Sequence, residues 1–230
     1  MGFQLHAATI KGPGHLVDNS PNQDAFLVRN WKTSWLAVVS DGMGSRKHSD
    51  VGSRLACEAV LETARTNNFD VSDRMFINSL YQLWLKKLGE LSPNDAVATC
   101  LIAWGLANGK TRVFQLGDGM IIYSGIESGV IVQQKDNSFS NETTGLGISR
   151  KLSDWRTGVI SLPKRSGRVS LLTDGISDDI EEYQEFLKST ARSLRNKGIR
   201  SGKEWINRQL IAWPTPKHTD DKTIVVIQRN

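Results

Sequence analysis

The chain has 230 residues, a length that suits one large domain or two small ones. Hydrophobic residues make up 39% and charged residues 23% of it, which excludes a disordered, collagenous or low-complexity protein. Lysine and arginine outnumber aspartate and glutamate by 29 to 24, and the net charge of +5 mildly favours anionic partners. The densest basic stretch, residues 188–208, also contains Glu204 and is predicted to form the solvated faces of two helices. We therefore do not expect a nucleic-acid-binding protein, which would carry a basic stripe with interleaved aromatic residues.

No apolar segment approaches the roughly 18–20 residues that a membrane-spanning helix needs, and the first residues do not resemble a secretory signal. Cys57 and Cys100 are too few for a disulfide framework and lie among apolar neighbours, so we expect two buried thiols. No internal repeat or linker interrupts the chain. These observations predict a single domain over residues 1–230, a cytoplasmic monomer that does not bind membranes.

The predicted elements follow one another in an order that is typical of an α+β protein. Strands are predicted at residues 3–10, 24–29, 34–40, 96–106, 111–116, 120–123, 130–133, 155–160, 168–172 and 222–228. Helices are predicted from a cap at Ser49 or Asp50, over 73–88, over 180–194, and from a capping box at Ser201 and Glu204 to Pro214. Between them lie turn-rich loops at 11–23 and 41–49 and a polar, exposed loop at 136–149.

The connections between strands decide the fold class. Asn108-Gly109 between two apolar runs is the strongest hairpin signal in the chain. Strands joined by hairpins form antiparallel sheets, and the helices then lie on the outer faces of these sheets as separate layers. The sequence therefore predicts an α+β fold.

Aspartates stand at the ends of five predicted strands. Five ends carry them: Asp24, Asp41, Asp118, Asp174, and Asp220 with Asp221. Glycine follows Asp41, Asp118 and Asp174, which allows a close approach of the backbone. Because strand ends at one edge of a sandwich lie close together, several carboxylates are predicted to converge.

Converging carboxylates without lysine or arginine repel one another, and partial burial increases the repulsion. A hard divalent cation with oxygen ligands, Mg²⁺ or Mn²⁺, relieves that repulsion. Each Asp-Gly pair taken alone is equally an ordinary turn, and aspartate also caps helices. Only the aspartates at all five strand ends together indicate a metal site.

Other site chemistries lack their motifs in this sequence. There is no Cys-x-x-Cys, no His-Glu-x-x-His, no phosphate-binding loop and no Gly-x-Ser-x-Gly. The four histidines have no metal-ligand spacing and are expected in loops or at the surface: His6, His15, His48 and His218.

Seven short motifs occur in order over nearly the whole chain. They are Asn22-Gln23-Asp24-Ala25-Phe26, Ser40-Asp41-Gly42-Met43-Gly44, Ala98-Thr99-Cys100, Leu116-Gly117-Asp118, Gly145-Leu146-Gly147, Leu172-Thr173-Asp174-Gly175-Ile176-Ser177-Asp178 and Asp220-Asp221-Lys222-Thr223-Ile224-Val225-Val226. In this order they resemble a bacterial-type protein phosphatase 2C, of the PPM superfamily of metal-dependent Ser/Thr protein phosphatases. The resemblance implies a sandwich of two antiparallel β-sheets flanked by pairs of α-helices, a four-layer αββα arrangement.

The resemblance also implies an activity and its cofactors. The enzyme would hydrolyse phosphoserine and phosphothreonine monoesters of proteins with water activated by two Mn²⁺ or Mg²⁺ ions, and a cognate Ser/Thr kinase would be its counterpart. Asp41 would bridge the two ions, with the carbonyl oxygen of Gly42 on one of them, and Asp174 and Asp220 would complete this catalytic site. Asp24, also catalytic, would hold water beside the ions.

Further roles are implied for four acidic or polar residues. Gln23 stands where many relatives have glutamate and would support the same water as the neighbouring aspartate. Asp118 and Asp178 would build a third, weaker metal position. Asp221 stands where many members have asparagine.

The sequence departs from the family where arginines are usual. Asn19 and Met120 occupy two such positions, of which the first normally binds substrate phosphate. A lost cationic contact costs about 1–3 kcal/mol, the value of a charge-assisted hydrogen bond. Arg46, Lys47 or Lys11 is expected to replace that contact in part, unless all three are ordinary solvated loop charges.

Two functions of other classes stay open at this point. The uncharged residues at the two arginine positions favour a low-activity phosphatase-like module that regulates or binds phosphoproteins. The basic charge and seven tryptophans are the only features that favour a nucleic-acid-binding or scaffold protein, and most of these tryptophans lie in apolar runs.

Overall fold

The computed structural model describes residues 2–132, 144–214 and 219–230. In these ranges the chain forms ten strands: β1 (Phe3–Ile10), β2 (Ala25–Asn30), β3 (Ser34–Ser40), β4 (Cys100–Leu106), β5 (Lys110–Leu116), β6 (Met120–Ser124), β7 (Ser128–Val132), β8 (Arg156–Ser161), β9 (Arg168–Leu172) and β10 (Lys222–Arg229). The described helices are α1 (Pro13–Val17), α2 (Ser49–Thr66), α3 (Asp73–Leu88), α4 (Asp174–Ser177), α5 (Tyr183–Leu194) and α6 (Ile199–Ile211).

The strands form two antiparallel sheets of five strands each. The first sheet has the order β1-β10-β9-β6-β7 and the second the order β2-β3-β4-β5-β8. Helices α2 and α3 pack on the outer face of the second sheet, and α4, α5 and α6 pack on the outer face of the first. The predicted α+β class and the four-layer sandwich are confirmed.

The alternation of side chains along the strands accounts for the layers. In β3, Trp35, Ala37 and Val39 point into the space between the two sheets, whereas Leu36 and Val38 point towards α2 and α3. Both faces of the strand are therefore buried, which is why this segment is an almost unbroken apolar run in the sequence.

Two predicted boundaries in the first half of the chain are corrected. The strand expected from residue 96 begins at Cys100, because the preceding residues leave the sheet and Ala98 forms isolated bridges with Gly42 and Leu146. Helix α2 begins at Ser49 after His48 in the cap position, and neither residue expected to cap it does so. The loop at 11–23 contains the short helix α1, which was not predicted.

Two expectations about single residues are wrong. The capping box at Ser201 and Glu204 does not form, because α6 already begins at Ile199 and Glu204 pairs with Arg200 instead. His6 is not a surface residue: it is 2% exposed on β1 and faces α6, where glycine leaves space for the imidazole ring. The fourth histidine, His218, lies outside the described residues.

Both cysteines are free and buried, as predicted. Within the described ranges, no helix combines the length and apolar character needed to cross a membrane.

Candidate metal centre

A cavity of about 120 Å³ opens at the edge of the sandwich where β3, β5 and β9 end and β10 begins. Four carboxylates line it, those of Asp41, Asp118, Asp174 and Asp220. The other described lining residues are glycines, threonines, a valine and a methionine, and none of them is lysine or arginine. The structure thus brings together in one cavity four aspartates that are far apart in the sequence.

Asp41 is held in place by main-chain hydrogen bonds on both sides. Its amide donates to Oγ1 of Thr99 at 2.9 Å, and the amide of Thr99 donates to its carbonyl oxygen at 2.8 Å. The next amide, that of Gly42, donates to the carbonyl oxygen of Gln23 at 3.1 Å. A Cβ atom on Gly42 would lie 2.5 Å from the carbonyl oxygen of Ser49, so only glycine allows the loop after β3 to approach α2 this closely.

Asp118 lies in a turn whose flanking residues have a positive φ, a conformation that glycine adopts most easily. Gly117 and Gly119, on either side of it, have φ angles of 86° and 85°. The turn joins β5 of the second sheet to β6 of the first, which places the aspartate at the cavity between the sheet ends.

Asp174 begins α4, directly after the end of β9. The residue before it, Thr173, donates a 2.9 Å hydrogen bond to Oδ2 of Asp24, which is 8% exposed and lies behind the cavity. The amide of Thr223 donates to the same threonine oxygen at 3.0 Å. This short chain of hydrogen bonds connects the start of β2, the end of β9 and β10 beneath the acidic cavity.

Asp221, the neighbour of Asp220, is 1% exposed and holds the loop at 11–23 against β10. Its two oxygens accept hydrogen bonds from the amides of Gly12 at 2.7 Å and Gln23 at 2.6 Å. Nδ1 of His15, on α1, lies 2.9 Å from Oδ1 of Asp221. One possible metal-ligating atom from each of His15, Asp220 and Asp221 lies within 4.8 Å of the others. The hydrogen bonds of Asp221, however, hold the loop in place.

The electrostatics of the cavity favour a bound cation. Burial raises the pKa of Asp41 well above its usual value, and the negative charges of Asp24, Asp174, Asp220 and Asp118 raise it further. Burial likewise raises the pKa of Asp24, and the charges of neighbouring carboxylates add to this effect.

The donor set also fits a hard divalent ion. Carboxylate oxygens of Asp41, Asp118 and Asp174 lie within 4.8 Å of one another, and oxygen ligands are those that Mg²⁺ and Mn²⁺ prefer. A divalent cation here would offset the mutual repulsion of the carboxylates around Asp41.

The remaining predicted site residues lie outside the cavity lining. Asp178 is exposed at the C-terminal end of α4, and Lys47 is exposed in the loop after β3. Lys11 is half-buried near Asp18. Arg46 contacts the wall of the cavity: its Nε donates to Sδ of Met43, a lining residue, at 3.5 Å.

The two positions that lack the usual arginines have different environments. Asn19 is exposed with a φ angle of 59°, whereas Met120 is 3% exposed and packs with the apolar residues beneath α4 and α5. The predicted exposed loop at 136–149 lies mostly outside the described residues.

Sequence reasoning assigned no role to three residues that organise the site, namely Thr99, Thr173 and His15. Both threonines belong to motifs that the sequence displays, and each lies one or two residues from an apolar strand. The hydroxyl hydrogen bonds that give them their roles, with the amide of Asp41 and the carboxylate of Asp24, involve distant residues, so no local pattern indicates them. His15 has no sequence signal of this kind.

The chain is thus a two-sheet α+β sandwich with a cavity lined by four carboxylates at one edge. The sequence matches the family model described as protein phosphatase 2C over residues 11–211, which is most of the chain. The chain therefore belongs to the protein phosphatase 2C family.

Solved structures show the same fold at low sequence identity. A bacterial serine phosphatase is 16% identical with a TM-score of 0.70, the match covering 99% of this chain and 98% of that one. RsbX in complex with magnesium is 17% identical with a TM-score of 0.65, covering 100% and 96%. The catalytic domain of the Ser/Thr phosphatase PstP in complex with two manganese ions is 15% identical with a TM-score of 0.68, covering 99% and 98%. Among curated proteins, no sequence matches this chain.

Proposed function

We propose that this chain hydrolyses phosphoserine and phosphothreonine monoesters of proteins, with divalent cations held in the acidic cavity. The observation that carries the proposal is the position of Asp41, whose carboxylate shares the cavity with those of Asp118, Asp174 and Asp220, while the described lining holds no lysine or arginine. Membership of the protein phosphatase 2C family supports it, as do the magnesium and manganese ions named for two proteins of the same fold.

The residues that would hold the ions follow from the lining of the cavity. Asp41, Asp174 and Asp220, with the carbonyl oxygen of Gly42, would hold two Mn²⁺ or Mg²⁺ ions, and Asp118 would contribute to a third, weaker position. Such ions, when bound, supply positive charge to phosphoryl oxygens and lower the pKa of water. Asp178, exposed at the end of α4, is proposed as the other contributor to this third position.

The surrounding residues keep the carboxylates in place. Thr99 fixes the main chain at Asp41 through two hydrogen bonds, and Thr173 links Asp24 to the beginning of α4. Asp24 is buried behind the cavity, where its carboxylate can accept a proton from water or orient it. Because these groups are positioned before substrate arrives, little reorganisation is needed during reaction.

The size of the cavity indicates the kind of substrate. A volume of about 120 Å³ is below the roughly 300 Å³ at which pockets begin to enclose drug-sized ligands, so it suits a phosphoryl group and its ions. The rest of a phosphorylated protein would remain on the surface outside. We also propose that the enzyme acts as a cytoplasmic monomer that opposes a Ser/Thr kinase.

Hydrolysis of p-nitrophenyl phosphate and of a phosphothreonine peptide, measured during a titration with Mn²⁺, tests this function. We expect saturable activation by the metal. Asp41→Asn, Asp174→Asn and Asp220→Asn should each lower kcat/KM at least about 100-fold, because each removes a charged ligand. Asp70→Asn, which removes an exposed aspartate paired with Lys110, should leave kcat/KM unchanged.

Metal binding without turnover would overturn the enzymatic proposal and favour the phosphoprotein-binding module instead. That result would be a Mn²⁺-dependent rise in melting temperature together with no hydrolysis above the rate of the three aspartate variants. Activity that is independent of divalent ions would contradict the assignment of the cavity.

A cationic contact to the substrate is proposed for Arg46, whose guanidinium contacts a residue of the cavity wall. Arg46→Ala should raise KM for a phosphopeptide about ten-fold with little change in kcat, as expected for a lost charge-assisted hydrogen bond. Lys47→Ala and Lys11→Ala test the two other predicted residues in the same assay. An unchanged KM in all three variants would show that no loop cation replaces the missing arginine.

A further inference from the structure

A second cavity, of about 360 Å³, lies at the opposite end of the first sheet from the acidic one. It is formed where β9 begins, where β10 ends and where α5 turns towards α6. Arg168 pairs with Gln228 at this end of the two strands, whereas Leu172 and Ile224 pair at the acidic end. The length of β9 separates the two sites, about 13 Å at the usual rise of 3.3 Å per residue.

Arginines dominate the walls of this cavity. Arg165, Arg168, Arg195 and Arg229 line it together with side-chain amides, and the described lining includes no aspartate or glutamate side chain. We refer to it as the arginine cavity. It is part of a basic region, since Arg192 on α5 lies close enough to act electrostatically on Arg168.

One of these arginines is held by the protein itself, through three of its five N–H donors. Arg229 donates from Nη1 to the carbonyl oxygens of Asn108 at 2.7 Å and Leu162 at 2.6 Å, and from Nη2 to that of Ala107 at 2.9 Å. Its guanidinium also lies over the ring of Phe3, 5.6 Å from the ring centre. Arg229 therefore forms a fixed wall, and its hydrogen-bond donors serve the fold.

The other three arginines keep donors for a ligand. In the described part of the chain none of them forms an ion pair, and the one hydrogen bond found is from Nη2 of Arg195 to the carbonyl oxygen of Arg165 at 3.4 Å. Arg165 has a φ angle of 68°, a conformation uncommon for a residue with a long side chain. Arg168 is half-buried, and both burial and the positive charges of Arg195 and Arg192 lower its pKa.

The unpaired positive charge indicates what the cavity would bind. Guanidinium groups match the oxygens of phosphate in pairs of parallel hydrogen bonds, and the side-chain amide of Asn196 lines the same cavity and adds donors. The site is concave and closed at one side by Arg229, which suits a compact ligand better than an extended polymer. We propose that the arginine cavity binds the phosphate group of a small molecule, at a site separate from the acidic cavity.

Inorganic pyrophosphate is a suitable probe, titrated into the whole chain by calorimetry in the presence of EDTA at low ionic strength. The chelator prevents anions from binding through metal ions in the acidic cavity. We expect one saturable site per chain. Arg168→Gln and Arg195→Gln should each raise Kd at least about ten-fold, the effect of removing one charge-assisted contact.

Arg208→Gln is the matched control, because it removes an exposed arginine on α6 that does not line the cavity. This variant should keep Kd within about two-fold. Arg195 is exposed, so Arg195→Gln should leave the fold intact. It tests the cavity even if Arg168→Gln, at a half-buried residue, unfolds the chain.

Several results would overturn the proposal. Equal weakening by Arg208→Gln would indicate diffuse attraction to a basic surface, and binding that appears only when Mn²⁺ replaces EDTA would locate the anion in the acidic cavity. The absence of saturable binding would dismiss the site altogether. A second titration with glycerol 2-phosphate identifies the ligand class: a similar Kd indicates phosphomonoesters and a weaker one indicates diphosphates, and either supports the site.

Discussion

Asp41 and Thr99 exchange hydrogen bonds between a loop and a strand that are separated by 58 residues in the sequence. The amide of Asp41 donates to the threonine hydroxyl at 2.9 Å, and the amide of Thr99 donates back to the carbonyl oxygen of Asp41 at 2.8 Å. The threonine therefore determines where the central carboxylate of the acidic cavity lies. It is a positioning residue for the proposed metal centre.

Thr99→Val is predicted to weaken metal binding and stability together. The valine removes the acceptor for the amide of Asp41, and an unsatisfied amide costs about 1–3 kcal/mol of unfolding free energy. The apparent Kd for Mn²⁺, followed by the rise in melting temperature, should increase about ten-fold. Thr99→Ser keeps the hydroxyl and should preserve Mn²⁺ affinity. A valine variant that loses stability but keeps its affinity would show that the contact is only structural.

Asp41→Asn is predicted to have opposite effects with and without metal. In EDTA the substitution removes one of five neighbouring negative charges, so the free energy of unfolding in urea should rise by about 1 kcal/mol or more. With Mn²⁺ added, the wild-type chain should gain stability by mass action and the variant should gain almost none. Asp70→Asn should behave like wild type in both conditions. A decrease in stability in EDTA would contradict the repulsion on which the site assignment depends.

His6 is predicted to make stability sensitive to mild acid. Burial lowers the pKa of this histidine below its usual 6.5, and neither ring nitrogen has a hydrogen-bond partner among the described residues. The unfolded chain therefore takes up a proton near pH 6.5 while the folded chain does not. The contribution of His6 is complete above pH 6.5 and is lost as the pH falls below it, at up to about 1.4 kcal/mol per pH unit.

Urea unfolding between pH 7.5 and 5.5 measures this slope. His6→Leu replaces the imidazole with a side chain of similar size that does not titrate, and it should remove part of the pH dependence. His48→Gln, at a half-buried residue before α2, should keep the wild-type slope. Identical slopes for His6→Leu and wild type would refute the prediction.

Arg112 is predicted to be important for stability even though it is charged. It is 5% exposed, with Nη2 2.6 Å from Oδ1 of Asp73 and its guanidinium 4.9 Å from the ring centre of Phe114. Arg112→Lys should lower the free energy of unfolding by about 2 kcal/mol, because lysine keeps the charge but loses the planar contacts.

The exposed ion pair between Lys110 and Asp70 provides the control for this prediction. Lys110→Met should change the free energy of unfolding in urea by less than about 1 kcal/mol, since exposed pairs contribute little. Equal losses in the lysine and methionine variants would show that burial of Arg112 adds nothing.

The elements of the fold could be predicted wherever their cause is local. The apolar run of residues 34–40, the turn at Asn108-Gly109 and the spacing of apolar residues in α3 each depend on neighbours within a few positions. The predictions failed at positions where a distant contact decides. The strand predicted from residue 96 begins only at Cys100, because Ala98 pairs with Gly42 and Leu146 instead. His6 is buried because Gly202, far away in the sequence, leaves space for its ring.

The sequence by itself determined that aspartates stand at the ends of five predicted strands, since strand periodicity and residue identity are both readable from it. Only the tertiary structure decided which of them share a cavity: Asp118 lines it, whereas Asp178, four residues after Asp174, is exposed at the end of a helix. The same holds for the hydrogen bond from Thr173 to Asp24, across 149 residues, and for the arginine cavity. Such groups meet because two sheets pack face to face, and packing depends on contacts between segments that no local pattern records.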